Sequence, residues 1–265
     1  MDVRRSAITI TYGDCAENHV GMQKLGVLRP EGLTYSDLAT ARDRFERLGC
    51  RCELVDLVSR ARAEDVFEGL DPEPAEVLVV RGAVDAILGE GGADALYTEQ
   101  NGLPHDKKAL MKGRVVNKLA RHNLCFADRA QEPDYEAGRG RVVSYGEVPL
   151  TAAVRNALPP IFGEKTAALY SEGNYYYDPA KCGIGFHGDS ERRIVVAVRV
   201  GADIPLHFQW FYDRIPRGGR VELELRHGDM YAMSQKAVGT DWKRPSLPTL
   251  RHAAGAQRFL VIAGQ

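Results

Sequence analysis

The chain has little of what would mark it as secreted, membrane-bound or broadly charged. Its 265 residues include only five cysteines, Cys15, Cys50, Cys52, Cys125 and Cys182. They are odd in number, scattered and without a C-x-x-C pair, which argues against a disulfide framework and against a cysteine zinc site. No apolar run approaches the ~20 residues needed to cross a bilayer, and the opening Met1-Asp-Val-Arg-Arg-Ser6 has no apolar stretch of a secretory signal behind it. We therefore expect an intracellular protein, cytoplasmic or nuclear, with no membrane partner. Neither sign of charge is in excess, since 35 Lys and Arg against 36 Asp and Glu give a net charge of -1. That removes the whole-chain drive of a strongly basic nucleic-acid binder but leaves a local basic face open. Hydrophobic residues at 44% are ample for a core, which excludes a disordered chain.

What is present divides at a proline-punctuated acidic stretch ending in Asp71-Pro-Glu-Pro74, the best linker in the chain. Before it, Ala7–Tyr12 reads as a strand, Ser36 as the cap of a helix running to Leu48, and Cys52–Val58 as a second strand. Residues 1–74 are thus expected to form a small α/β extension, with residues 75–265 as the main domain. Between the first strand and the helix, Asp14, Glu17, Asn18 and His19 lie close together, either lining a pocket or forming a polar loop. After the linker come a strand at Val77–Val80, two helix-like pieces between Leu96 and Leu119, a short strand at Arg141–Tyr145, and helices at Pro149–Leu158 and Phe162–Leu169 broken by Pro159-Pro160. Lys107, Lys108, Lys112, Arg114, Lys118 and Arg121, with His105 and His122, form a basic cluster, read as a solvated helix face or a nucleic-acid contact. From Gly173 onward, strands alternate with tight turns: Ile194–Val200, Leu206–Tyr212, Arg220–Leu225, Asp229–Met233 and Arg258–Ile262. Strands at this spacing imply a double-sheet jelly roll or barrel. The expected fold class is α+β, a double-stranded β-helix core with flanking helices.

Two His-Gly-Asp triplets occur, His187-Gly-Asp189 and His227-Gly-Asp229. In an extended chain residues i and i+2 share a face, so either histidine and its aspartate could hold one cation. The second sits between two clear strands, where Gly-Asp suits a hairpin, and reads as structural. The first follows Gly183 and Gly185, which strip side chains from one side and admit a ligand. Downstream, His252 can complete a set of two imidazoles and a carboxylate, the facial triad that leaves open positions on non-haem Fe(II). Arg258, at the start of the last expected strand, could be carried beside His252 by a tight hairpin and pair with the distal carboxylate of a dicarboxylate co-substrate.

These residues resemble the AlkB-like branch of the Fe(II)/2-oxoglutarate dioxygenases. The matching text is Asn174-Tyr-Tyr-Tyr177, Ile184-Gly-Phe-His187-Gly-Asp189, Val195–Val198, Leu225-Arg-His-Gly-Asp-Met-Tyr-Ala-Met233, His252 and Arg258. It spans roughly residues 75 to 265 and is strong only from Gly173. The resemblance implies Fe(II) held by His187, Asp189 and His252, 2-oxoglutarate held by Arg258, Tyr177 and Asn174, and O2 as oxidant. It departs at two places. Tyr175 falls where the family has its asparagine, with Asn174 displaced by one and facing the other way, and the family's second arginine falls on Gly264.

The reaction expected is hydroxylation or oxidative demethylation of a substrate C–H, with a modified nucleic-acid base first among substrates. A small-molecule or protein hydroxylase of the same chemistry and a non-catalytic jelly-roll binding module are the rivals. Tyr175, Phe208, Trp210 and Trp242 are candidate pocket walls, with core packing as the competing role.

Overall fold

A computed structural model describes residues 5–63, 66–67 and 69–262; Gly264 lies outside the described residues. The amino-terminal part runs β1 (Ala7–Gly13), β2 (Cys15–Glu17), β3 (Lys24–Gly26), α1 (Tyr35–Arg47), β4 (Cys52–Asp56), α2 (Leu57–Ala61) and β5 (Glu76–Val80). The middle follows with α3 (Ala83–Leu88), α4 (Gly92–Asn101), β6 (Lys108–Met111), β7 (Arg114–Asn117), β8 (His122–Ala127), β9 (Val142–Ser144) and α5 (Pro149–Phe162). The carboxyl-terminal third is β10 (Tyr170–Tyr176), β11 (Gly183–His187), β12 (Val195–Gly201), β13 (Leu206–Tyr212), β14 (Ile215–Leu223), β15 (Met230–Met233), α6 (Gln235–Val238) and β16 (Thr249–Gly255). The protein is therefore mixed α+β and rich in sheet.

An eight-stranded sheet has the order β4-β5-β15-β12-β1-β10-β8-β9, and a four-stranded sheet the order β11-β16-β13-β14. Side-chain parity shows how the two are placed. On the larger sheet Ala7, Tyr176, Val195, Ala197, Tyr231 and Met233 share one apolar core with Leu206, Phe208, Trp210, Val221, Leu223, Leu250 and Ala254 of the smaller sheet. The alternate residues Ile8, Ile10, Val196, Val198, Val200, Met230 and Ala232 pack on the opposite face against α1 and α5, through Leu38, Ala41, Phe45, Val154, Leu158 and Phe162. Strands buried on both faces read as continuous apolar runs, as β12 does (Val195-Val-Ala-Val198).

The sheet order corrects the expected division of the chain. β1 lies between β10 and β12, paired antiparallel with both, and β4 pairs with β5. Residues 1–74 thus contribute strands to the sheet that the rest of the chain builds, and the proline-rich stretch joins two neighbouring strands rather than two domains.

Local expectations also shift. Helix α1 is capped by Thr34, whose side chain accepts from the Asp37 backbone N–H while Asp37 reaches back, in place of Ser36. Helix α5 continues through Pro159 and Pro160 to Phe162, held by its buried face, so no second helix begins at Phe162; a short 3-10 turn, Glu164–Thr166, leads into β10. The second helix-like piece before Leu119 is the β6/β7 hairpin, where Lys112 and Gly113 both take positive φ as a two-residue turn requires. The expected last strand is a 3-10 turn over Gln257–Phe259, and among the described residues no strand follows β16. Among the described residues no helix is long and apolar enough to cross a membrane.

Candidate metal centre and its cavity

The two histidines stand opposite one another. β11 and β16 are antiparallel neighbours, and His187 is paired in register with His252. Asp189 follows the end of β11, its backbone N–H donating to the Val238 carbonyl. Asp189 Oδ1 is 3.5 Å from His187 Nε2 and 3.6 Å from His252 Nε2, and the two rings are 4.5 Å apart between centroids. Both carboxylate distances exceed those of a good hydrogen bond, so a surface hydrogen bond between His187 and Asp189 does not account for the cluster. One ligand atom from each residue lies within 4.8 Å of the others. Gly188 makes the approach possible, because a side chain there would collide with the Gly239 carbonyl and Trp242.

The protonation states suit a cation. His187 Nδ1 is 2.8 Å from the Gly185 carbonyl, a contact that requires N–H there and leaves Nε2 as the lone-pair donor. Burial, with His252 beside it, pushes the His187 imidazole down to about 3, so it stays neutral. Burial alone would raise the Asp189 carboxyl, but Arg192, His252 and His187 hold it well below the usual carboxylate range. Arg192 is itself tied by ion pairs to Glu172 at 2.6 Å and Glu191 at 3.0 Å.

The triad opens into a cavity of about 650 Å³ between the sheets. Its large-sheet wall carries the inward residues of three adjacent strands: Thr9 and Thr11, Glu172, Asn174 and Tyr176, and Arg199. Asn174 is on this wall, accepting from Arg121 Nε at 2.5 Å and Asn123 Nδ2 at 2.8 Å. The displaced-register expectation is thereby reversed, since Asn174 shares its face with Tyr176. Tyr175 points to the other face, stacked on His105 at 4.2 Å. Tyr177 is not on the cavity wall; its hydroxyl donates to the Leu119 carbonyl. Arg258 is exposed, donates to the Lys181 carbonyl at 2.5 Å and lies outside the cavity. The hairpin that would have brought it beside His252 does not form.

Of the four aromatic wall candidates only Trp242 lines the cavity, with its Nε1–H donating to Ser190 Oγ. Trp210 is fully buried and donates to the Leu57 carbonyl, and Phe208 is core. Glu17, Asn18 and His19 reach the cavity, which resolves that loop in favour of the pocket. Asp14 instead accepts the backbone N–H groups of Arg29, Arg193 and Ile194. His227-Gly-Asp229 is structural: Gly228 takes positive φ, and Asp229 binds Arg81 and the Gly82 N–H. The basic cluster divides. Lys107, Lys108, Lys112 and Arg114 are exposed on or beside the β6/β7 hairpin, Arg121 reaches the cavity, and Lys118 is buried against Asn18 and Asn123.

Arg199 and Thr9 were not singled out by sequence reasoning. Strand parity was the available signal, since an arginine in Val195-Val-Ala-Val-Arg199-Val falls on the same face as Val195 and Ala197.

No protein-family model matches the chain. It is 45% identical over 259 residues to "Uncharacterized protein R156" of Acanthamoeba polyphaga mimivirus, covering 97% of this chain and 98% of the viral one. The chain belongs to the same family as that viral protein.

Proposed function

We propose that this protein is an Fe(II)- and 2-oxoglutarate-dependent dioxygenase that hydroxylates or oxidatively demethylates a substrate C–H. The observation that carries the reading is the convergence of His187, Asp189 and His252 at a cavity of about 650 Å³. Two imidazoles and one ionised carboxylate fit Fe(II), and with three protein ligands the ion keeps positions for a co-substrate and dioxygen. When bound, the metal supplies the activation of dioxygen by which a 2-oxo acid is consumed and the substrate C–H oxidised.

The chain's own residues set the conditions. The Gly185 carbonyl fixes the His187 tautomer, Arg192 keeps Asp189 ionised, and Ile184, Val195, Leu206, Met233 and Ala254 give the cavity an apolar lining that limits water. Strand order supports a double-stranded β-helix resembling that of the AlkB-like enzymes. From β10 to β16 the chain alternates large, small, large, small, small, large, small sheet. An eighth strand would return to the large sheet, and β1 fills the place between β10 and β12.

For the substrate we propose a modified base in single-stranded nucleic acid. The exposed basic hairpin can meet phosphates, and Trp242 at the cavity offers a stacking surface for an extruded base. Binding of single-stranded oligonucleotide should weaken steeply between 50 and 200 mM salt. Absence of binding at low salt would leave a small-molecule or protein hydroxylase. The metal reading is tested by anaerobic Fe(II) titration: one ion per chain is expected, lost in His187→Ala, Asp189→Ala and His252→Ala. Iron binding unaffected by His187→Ala would overturn it and leave a binding module.

A further inference from the structure

The wall facing the metal ligands contains a buried cation that forms no ion pair among the described residues. Arg199 on β12 is 1% exposed, and its Nε is buried with no hydrogen-bond partner. Of its five N–H donors, one goes from Nη1 to the Ile204 carbonyl at 2.9 Å, and among the described residues it forms no salt bridge. Directly opposite on β1 is Thr9, 4% exposed, whose Oγ1 also lacks a partner. Both side chains line the cavity, together with Tyr176, whose ring lies 5.9 Å from the guanidinium, and Tyr231. A buried charge and a buried hydroxyl left unpaired are both costly, and a fold retains them where a ligand completes them.

We propose that Arg199 and Thr9 form an oxyanion cradle that takes one carboxylate of a short dicarboxylate. Resting on the iron reading above, that carboxylate is the distal end of 2-oxoglutarate, held by the large sheet while the oxo-acid end faces the triad on the small sheet. The anchor then comes from β12 and β1, in place of the expected Arg258.

The other cations at the cavity are less suited. Arg192 has its charge matched by Glu172 and Glu191, Arg121 is hydrogen-bonded to Asn174, and Lys24 and Lys243 are exposed. A planar guanidinium beside a hydroxyl donor matches a carboxylate. Burial keeps the Tyr176 and Tyr231 hydroxyls protonated, so they can donate as well. A single cation in a buried setting favours a monoanionic carboxylate over a phosphate dianion.

The test is anaerobic calorimetric titration of 2-oxoglutarate and of glutarate, which lacks the oxo group, into metal-free and Co(II)-loaded protein. Arg199→Met should weaken both ligands about 10- to 100-fold, Arg199→Lys less, and Thr9→Val several-fold. Co(II) binding should stay at the wild-type level in all three. Should Arg199→Met fail to fold, Arg199→Lys and Thr9→Val carry the comparison. Wild-type affinity in Arg199→Met, or in both milder variants, would overturn the cradle even if Co(II) binds at the triad. Loss of affinity in Arg121→Met with none in the Arg199 variants would also overturn it. Arg199-dependent glutarate binding in a protein that takes no metal would uphold the cradle and sink the iron reading.

Discussion

His105 packs flat on Tyr175, and burial, with His122 and Lys107 nearby, lowers its pKa to about 4. An imidazole with a depressed folded pKa is neutral in the native state and protonated in the unfolded chain between its two pKa values. Stability is therefore full above about pH 6.5 and is lost as pH falls toward 4, by up to roughly 3 kcal/mol. His105→Phe should remove that part of the acid loss, measured as the difference between the two proteins' denaturation midpoints across this window. An equal acid loss in both proteins would contradict the assignment. At the triad, each single alanine variant should lose more Fe(II) affinity than the ~10- to 100-fold typical of an outer partner, with Arg192→Met in that lesser range. Dialysis against buffered Fe(II) would show whether the order holds. The triad was legible because the i, i+2 rule places His187 and Asp189 together whatever the strand's neighbours. Tyr177 and Arg258 were misplaced because β10 was read one residue out of phase and the chain leaves the sheet after Gly255.

At the scale of elements, the turn between the first two ligands is the most constrained stretch of the site. A Cβ on Gly188 would run into the Gly239 carbonyl, whereas one on Gly185 meets only the Phe259 carbonyl at 3.6 Å. Gly188→Ala should therefore displace the segment joining His187 to Asp189, with loss of metal binding and a fall in thermal midpoint, while Gly185→Ala retains both. Comparable behaviour of the two variants would contradict the packing described. The carboxyl-terminal strands were legible because Gly and Pro punctuate alternating or continuous apolar runs. The β6/β7 hairpin was not, since charged residues such as Lys107, Lys108 and Lys112 carry no period-2 signal and its turn is set by backbone conformation. Pro159-Pro160 misled for a related reason: burial of Val154, Leu158, Ile161 and Phe162 on one face outweighs two missing N–H groups near a helix end.

At the scale of the molecule, β1 is the element that local pattern could not place. Ala7–Tyr12 was readable as a strand, yet its partners lie more than 150 residues away, and pairing across such a distance leaves no trace in the strand's own residues. Because β1 is hydrogen-bonded on both edges inside the large sheet, a fragment of residues 75–265 should not fold. Circular dichroism and gel filtration of that fragment would show an unfolded or aggregated chain, and a cooperatively melting monomer would contradict the sheet order. The catalytic reading stands or falls on one reaction. Incubated with Fe(II), O2 and 2-oxoglutarate, the wild-type protein should release succinate, and His187→Ala, Asp189→Ala and His252→Ala should not. A wild-type protein that binds iron at the triad yet forms no succinate, alone or with methylated oligonucleotide, would contradict it.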